Sequence, residues 1–163
     1  MNHRNKYIIL ILGAMFVTGF SDLAYANPDS IIYISESKTS LGEDVHYIRG
    51  PVTDLHARDI PEFYHSGQFK KSNVPQPSLG LIDDIVWVAI QLQPLNEKNN
   101  EYYLELAYSQ LDSIKLYELN GDSLEHIEST GDTYFFDQRP IIHRHFVFPL
   151  QLSADGPKTF FLR

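Results

Sequence analysis

From Ile82 onward the chain reads as strand after strand, each alternating between its two faces with a period of two. "IVWVAIQLQ" (Ile85–Gln93) sets Val86, Val88, Ile90 and Leu92 against Trp87, Ala89 and Gln91. "EYYLELAY" (Glu101–Tyr108) puts Tyr102, Leu104, Leu106 and Tyr108 on one side. "LDSIKLYEL" (Leu111–Leu119) opposes Asp112, Ile114, Leu116 and Glu118 to Leu111, Ser113, Lys115, Tyr117 and Leu119, and "RHFVFPLQL" aligns Phe146, Phe148, Leu150 and Leu152. Successive strand residues point to opposite faces of a sheet, so each pattern presents one apolar face to a core. "EKNN" (Glu97–Asn100), "NGD" (Asn120–Asp122), "TGD" (Thr130–Asp132) and "DGP" (Asp155–Pro157) break the runs with turn residues. No sustained helical period competes with them. Short alternating strands at this spacing predict an all-β antiparallel sandwich or barrel.

The first half is less regular. "SIIYISES" (Ser30–Ser37) predicts a strand. Ser40–Gly80 is punctuated by Gly, Pro and Asp, with a short strand expected around Val45–Ile48 and a helical turn near Ile60–Phe63. "NVPQPSLG" resists regular structure, because Pro75 and Pro77 each fix φ and lack an N–H donor.

The N-terminus has the form of a targeting segment. Arg4 and Lys6 precede the apolar run Tyr7–Phe20, and Ala24 and Ala26 supply small residues at a cleavage site. We therefore expect residues 1–26 to be a signal peptide and residues 27–163 a periplasmic β-sandwich domain. An uncleaved anchor is the alternative, although the run is shorter than the roughly 20 residues of a membrane span. No later stretch is apolar enough to cross a membrane. An exported chain without cysteine must hold its fold by core packing alone. The net charge of −8 disfavours nucleic-acid binding, which needs clustered Lys and Arg. The chain stops at "TFFLR", inside an expected strand, so we expect the natural protein to continue and this domain to be truncated at its C-terminal end.

An ordered set of short elements carries a family resemblance. They are Leu79-Gly80, Trp87, Tyr103-Leu104-Glu105-Leu106, Leu111-Asp112, Leu116-Tyr117, Gly131-Asp132, Arg139-Pro140, Phe146, Phe148-Pro149-Leu150 and Leu162-Arg163. "EDVHYIRGP" and "FYHSGQF" match a less distinctive first half. Together they resemble the periplasmic sensor domain, of the second extracellular type, of bacterial seven-transmembrane receptors with diverse intracellular signalling modules. The resemblance implies a jelly-roll β-sandwich like those of carbohydrate-binding modules. It also implies a receptor whose membrane helices and output domain lie outside this chain, so that membrane attachment runs only through missing segments. Two departures stand out. "LIDDIVWVAIQ" is more acidic around the Trp than the family pattern, and the family's final strand is missing.

Residues with recognition chemistry concentrate in "STGDTYFFDQRPIIHRHFVFPLQL" (Ser129–Leu152). Arg139 offers a planar fork for a carboxylate or a pair of sugar hydroxyls. Tyr134, Phe135 and Phe136 can supply a flat apolar wall. The competing structural reading pairs Arg139 with Asp132 or Asp137, because a partly buried guanidinium needs partners. Arg144 falls on the Phe146 face if the alternation extends back to it. Trp87 is the single tryptophan; it is either a stacking platform for a sugar ring or part of a second apolar layer beneath a loop. Tyr108 and Tyr117 divide the same way. The candidate ligand-binding set is Trp87, Tyr108, Asp132, Tyr134, Arg139 and Arg144.

His143-x-His145 has the spacing of a zinc pair on a strand, but only two ligands are visible locally, and we assign no metal and no cofactor. Asp83-Asp84 lacks the ligand spacing of a calcium loop. No nucleophile elbow, cysteine or phosphate-cradling loop is present, so no catalytic residue is assigned. The reading is a sensor for a small, carbohydrate-like molecule. Its alternatives are a protein-interaction or dimerisation module, as a homodimer or with a partner sensor, and more distantly a glycan hydrolase.

Overall fold

The computed structural model describes residues 6–10, 31–34, 38–51, 53–75, 84–95 and 100–163. Most of the expected leader, the turn residues 97–99, Leu79-Gly80 and Asp83 lie outside the described residues.

Two sheets pack face to face. The smaller contains β1 (Lys6–Leu10), β3 (Lys38–Ser40), β7 (Glu101–Leu106) and β10 (Phe146–Gln151) in the order β10-β7-β1-β3. The larger contains β2 (Ile31–Ile34), β4 (His46–Gly50), β5 (Lys70–Lys71), β6 (Ile85–Pro94), β8 (Ile114–Asn120), β9 (Ser123–Thr130) and β11 (Lys158–Leu162). Its order is β5-β4-β6-β11-β8-β9, with β2 alongside β6. The pairs β10–β7, β11–β6, β11–β8, β4–β6, β4–β5 and β8–β9 are antiparallel. The expected all-β, largely antiparallel architecture is therefore present.

The alternation places the core. Tyr102, Leu104 and Leu106 of β7 and Phe146, Phe148 and Leu150 of β10 face Val88, Ile90 and Leu92 of β6. Ile114 and Leu116 of β8 and Phe160 and Leu162 of β11 join the same cluster. Leu152 is buried as the pattern required. The opposite face of the larger sheet is apolar as well, and a second layer covers it. Helix α1 (Ile60–His65) begins with Pro61 in its first turn, where a missing N–H costs nothing. It buries Ile60 and Tyr64 with Leu55 and Phe69 against Trp87, Ala89 and Phe161. Tyr64, Phe69 and Phe161 meet edge to face, with ring centroids 5.2–5.8 Å apart.

Two glycines shape the β8–β9 region. Gly121 (φ +61°) opens the two-residue hairpin loop that the Asn-Gly-Asp signal predicts. Gly131 (φ +148°) lets the chain lie against β8, where a Cβ would collide with the Asp112 carbonyl. The approach is held by Asp132 N–H to Leu111 O at 2.7 Å and Thr133 Oγ1–H to Asp112 O at 2.6 Å. These bonds occupy Leu111 and Asp112 outside the ladder, and β8 starts at Ile114, later than the alternation alone predicts.

Lys6–Leu10 lies within the expected leader, yet it runs parallel to both β3 and β7, between them. Ile8 and Leu10 are fully buried in the sandwich core. Among the described residues no helix is long and apolar enough to cross a membrane.

Candidate functional site

The segment from Gly131 to His145 joins β9 to β10 and carries most of the residues with recognition chemistry. Arg139 organises it. The guanidinium carbon sits 4.8 Å from the Phe136 ring centre and 4.5 Å from that of Phe146. Its Nη1 donates to His143 O at 2.9 Å and more weakly to Arg144 O at 3.4 Å. The cation thus lies against two aromatic faces and closes a loop of its own chain through backbone carbonyls. Neither Asp132 nor Asp137 pairs with it, contrary to the structural partner read from the sequence. The Nε atom of Arg139 is buried and has no hydrogen-bond partner.

With its backbone fastened, the loop presents its other side chains outward. Phe135 is 76% exposed, Ile142 61%, Phe136 52% and Tyr134 37%. Asp132 and Arg144 are exposed on the same segment. Arg144 precedes β10 in a bend, so the inward alternation begins only at Phe146. Four of the six candidate residues therefore share this loop. Tyr108, half-buried just past β7, donates from its hydroxyl to Gln110 Oε1 at 3.3 Å.

Trp87 is placed elsewhere. It is fully buried on the α1 side of the larger sheet, and its Nε1–H donates to Leu55 O at 3.2 Å. The Tyr117 ring lies 5.3 Å away, and the Arg163 guanidinium carbon is 6.0 Å from the indole. Both edge and face are enclosed, so in this structure Trp87 is a core residue with no surface left for stacking. The second-layer alternative is the one its surroundings match. Burial pushes the Tyr117 phenol above its ordinary pKa, partly opposed by Arg163.

One grouping escaped the sequence reading. Glu105 projects from the outer face of β7, between the inward Leu104 and Leu106. The β7–β10 register pairs Glu105 with Val147, two residues from His145. Glu105 Oε1 and His145 Nδ1 are 2.6 Å apart, and the His143 and His145 rings lie 5.5 Å apart, edge to face. The three side chains are half-buried, and one ligand-type atom from each falls within 4.8 Å of the others. The usable signal was the outward Glu of "YYLEL", but its register against the His pair is set only by folding. Asp84, from the acidic pair considered for calcium, instead lies 3.5 Å from Arg49 in an ion pair.

A family model described as 7TMR-DISM extracellular 2 matches residues 42–163. The chain belongs to this family. A 7TMR-DISM extracellular 2 domain is an extracellular sensor domain of transmembrane receptors, which implies exported placement. The match begins after β3, so β1, β2 and β3 precede the family region. No curated protein matches the chain.

Proposed function

We propose that the chain is the periplasmic input domain of a bacterial signalling receptor and that it senses a small carbohydrate-like molecule on the Gly131–His145 loop. The family match over residues 42–163 is the observation that carries the sensor role. The exposed loop supports the location. Tyr134, Phe135 and Phe136 offer flat apolar faces suited to the C–H face of a sugar ring. Asp132 and Arg144 add an acceptor and a bidentate donor for hydroxyls or a sugar acid. The Arg139 clamp limits the ordering cost of binding, because the backbone of the loop is already held. Attachment to the membrane would run through segments outside this chain. A signal then requires that the ligand bind one receptor state more tightly than another.

The test is a thermal-shift and calorimetric screen of neutral mono- and disaccharides and hexuronic acids. A hit should lose at least about tenfold in affinity, or about 1.4 kcal/mol, in Tyr134→Ala and Arg144→Ala. The melting temperature of the free variants should stay unchanged, because both side chains are exposed. No hit across the panel, or hits insensitive to both substitutions, would refute the location.

The exposure of Phe135 and Ile142 favours a second reading, a surface for a protein partner or for another copy of the chain. It predicts a concentration-dependent mass in sedimentation that Phe135→Ser abolishes, together with indifference to sugars.

A further inference from the structure

We propose that Glu105, His143 and His145 form a binding site for one divalent first-row cation, zinc for preference. The inference rests on this geometry and is independent of the carbohydrate reading.

The donor set is right for the ion. Two imidazoles and one carboxylate bind zinc while leaving a fourth position open, and borderline nitrogen donors favour it over calcium or magnesium. The ligands come from separate parts of the fold that the β7–β10 ladder holds in register. Glu105 stands on β7, and the His pair lies in the bend leading into β10. Half-burial removes part of the competing hydration while leaving a path for an ion to enter.

The distances need only small adjustments. Glu105 Oε1 and His145 Nδ1 now share a hydrogen bond at 2.6 Å. Two ligands at zinc bond lengths of about 2.0–2.2 Å and a tetrahedral angle stand about 3.4 Å apart. Replacing the shared proton by the cation therefore separates them by under about 1 Å, within reach of a Glu side-chain rotation. His143 Nδ1 accepts only one long bond, 3.2 Å, from the His145 N–H. That lone pair can be surrendered to a metal at little cost.

Arg139 is a positioning residue for the site. It holds the carbonyl of His143 at 2.9 Å while stacked on Phe136 and Phe146, which fixes the backbone that carries the His pair. Its bonds go to carbonyls and not to the Glu105 carboxylate, so the ligand remains available.

The untagged 163-residue chain, stripped with chelator, should be titrated with Zn2+ against a chromophoric competitor. Wild type should take up one equivalent. H143A/H145A should lose that equivalent, and E105Q should weaken it by at least about tenfold, the lower end of what loss of even an outer partner costs. H126A, which removes an exposed histidine on β9 in the other sheet, bonded locally to Ser129, should bind as wild type does. Circular dichroism checks that the variants fold. Should H143A/H145A not fold, amide NMR shifts of the wild-type chain on adding Zn2+ decide, and they should centre on Glu105 and His143–His145. Absence of stoichiometric uptake by wild type, uptake that survives in folded H143A/H145A, or shifts centred on other histidines would each overturn the site.

Discussion

Replacing Trp87 by Phe separates the two fates that a lone strand tryptophan can have. In this structure the indole is fully buried and its N–H satisfies Leu55 O at 3.2 Å. Trp87→Phe strands that carbonyl, at a cost of about 1–3 kcal/mol. The smaller ring also leaves a void of some tens of cubic ångströms, which at about 24 cal/mol per Å3 adds roughly 1 kcal/mol. The sum is about 2–4 kcal/mol, a large share of the stability of an ordinary domain. With a urea slope of about 2 kcal/mol/M, the midpoint should fall by roughly 1–2 M, read by far-UV circular dichroism because the variant has no tryptophan. Wild-type fluorescence supplies the companion measurement. A sealed indole should emit to the blue and resist acrylamide until the urea transition. A midpoint unchanged within about 0.3 M, with free quenching of the native protein, would refute the core assignment and restore Trp87 as a surface platform.

Two further outcomes follow from the fold. His46 is buried, and burial together with the nearby Lys71 holds its pKa below the ordinary 6.5, while Asp44 opposes the shift. The unfolded chain then binds more protons than the folded one below about pH 6.5. Stability should be full above that value and should fall as pH drops from 6.5 toward the folded pKa; urea midpoints across pH 5–7.5 should show the fall, and His46→Gln should reduce it. A pH dependence identical in the variant would contradict this. Deleting residues 1–26 removes Ile8 and Leu10 from the core, each contributing about 1.5–3 kcal/mol on burial, so the shortened chain should lose roughly 3–6 kcal/mol and bind a hydrophobic dye. Equal stability of the two chains would show that β1 is dispensable.

Much of the fold was legible because period-two alternation is a direct consequence of pleated geometry. The inward faces of β6, β7 and β10 could be listed residue by residue before any coordinates, and the Asn-Gly-Asp hairpin followed from the positive φ that Gly121 supplies. The fate of Trp87 was not legible. Its face was clear, but whether that face meets water or a second layer depends on how residues 55–69 fold back over the sheet. The partners of Arg139 were not legible for a similar reason: they are the carbonyls of His143 and Arg144 in place of Asp132 or Asp137, and every residue carries a carbonyl, so composition leaves no trace of which one is used. Glu105 stayed hidden because strand register, which brings it to His145, is a long-range property. Residues 6–10 read as the start of an apolar leader, yet the short apolar stretch Tyr7–Leu10 also suits a buried strand, and periodicity alone does not separate the two.

The loop from Gly131 to His145, pinned by Arg139, is the center of the recognition account. Amide chemical-shift mapping of the labelled chain against the sugar and sugar-acid panel tests it most directly. Shifts concentrated in residues 132–145, and lost in Tyr134→Ala, are the predicted result. Shifts centred on α1 and the Trp87 layer, or none with any member of the panel, would contradict it.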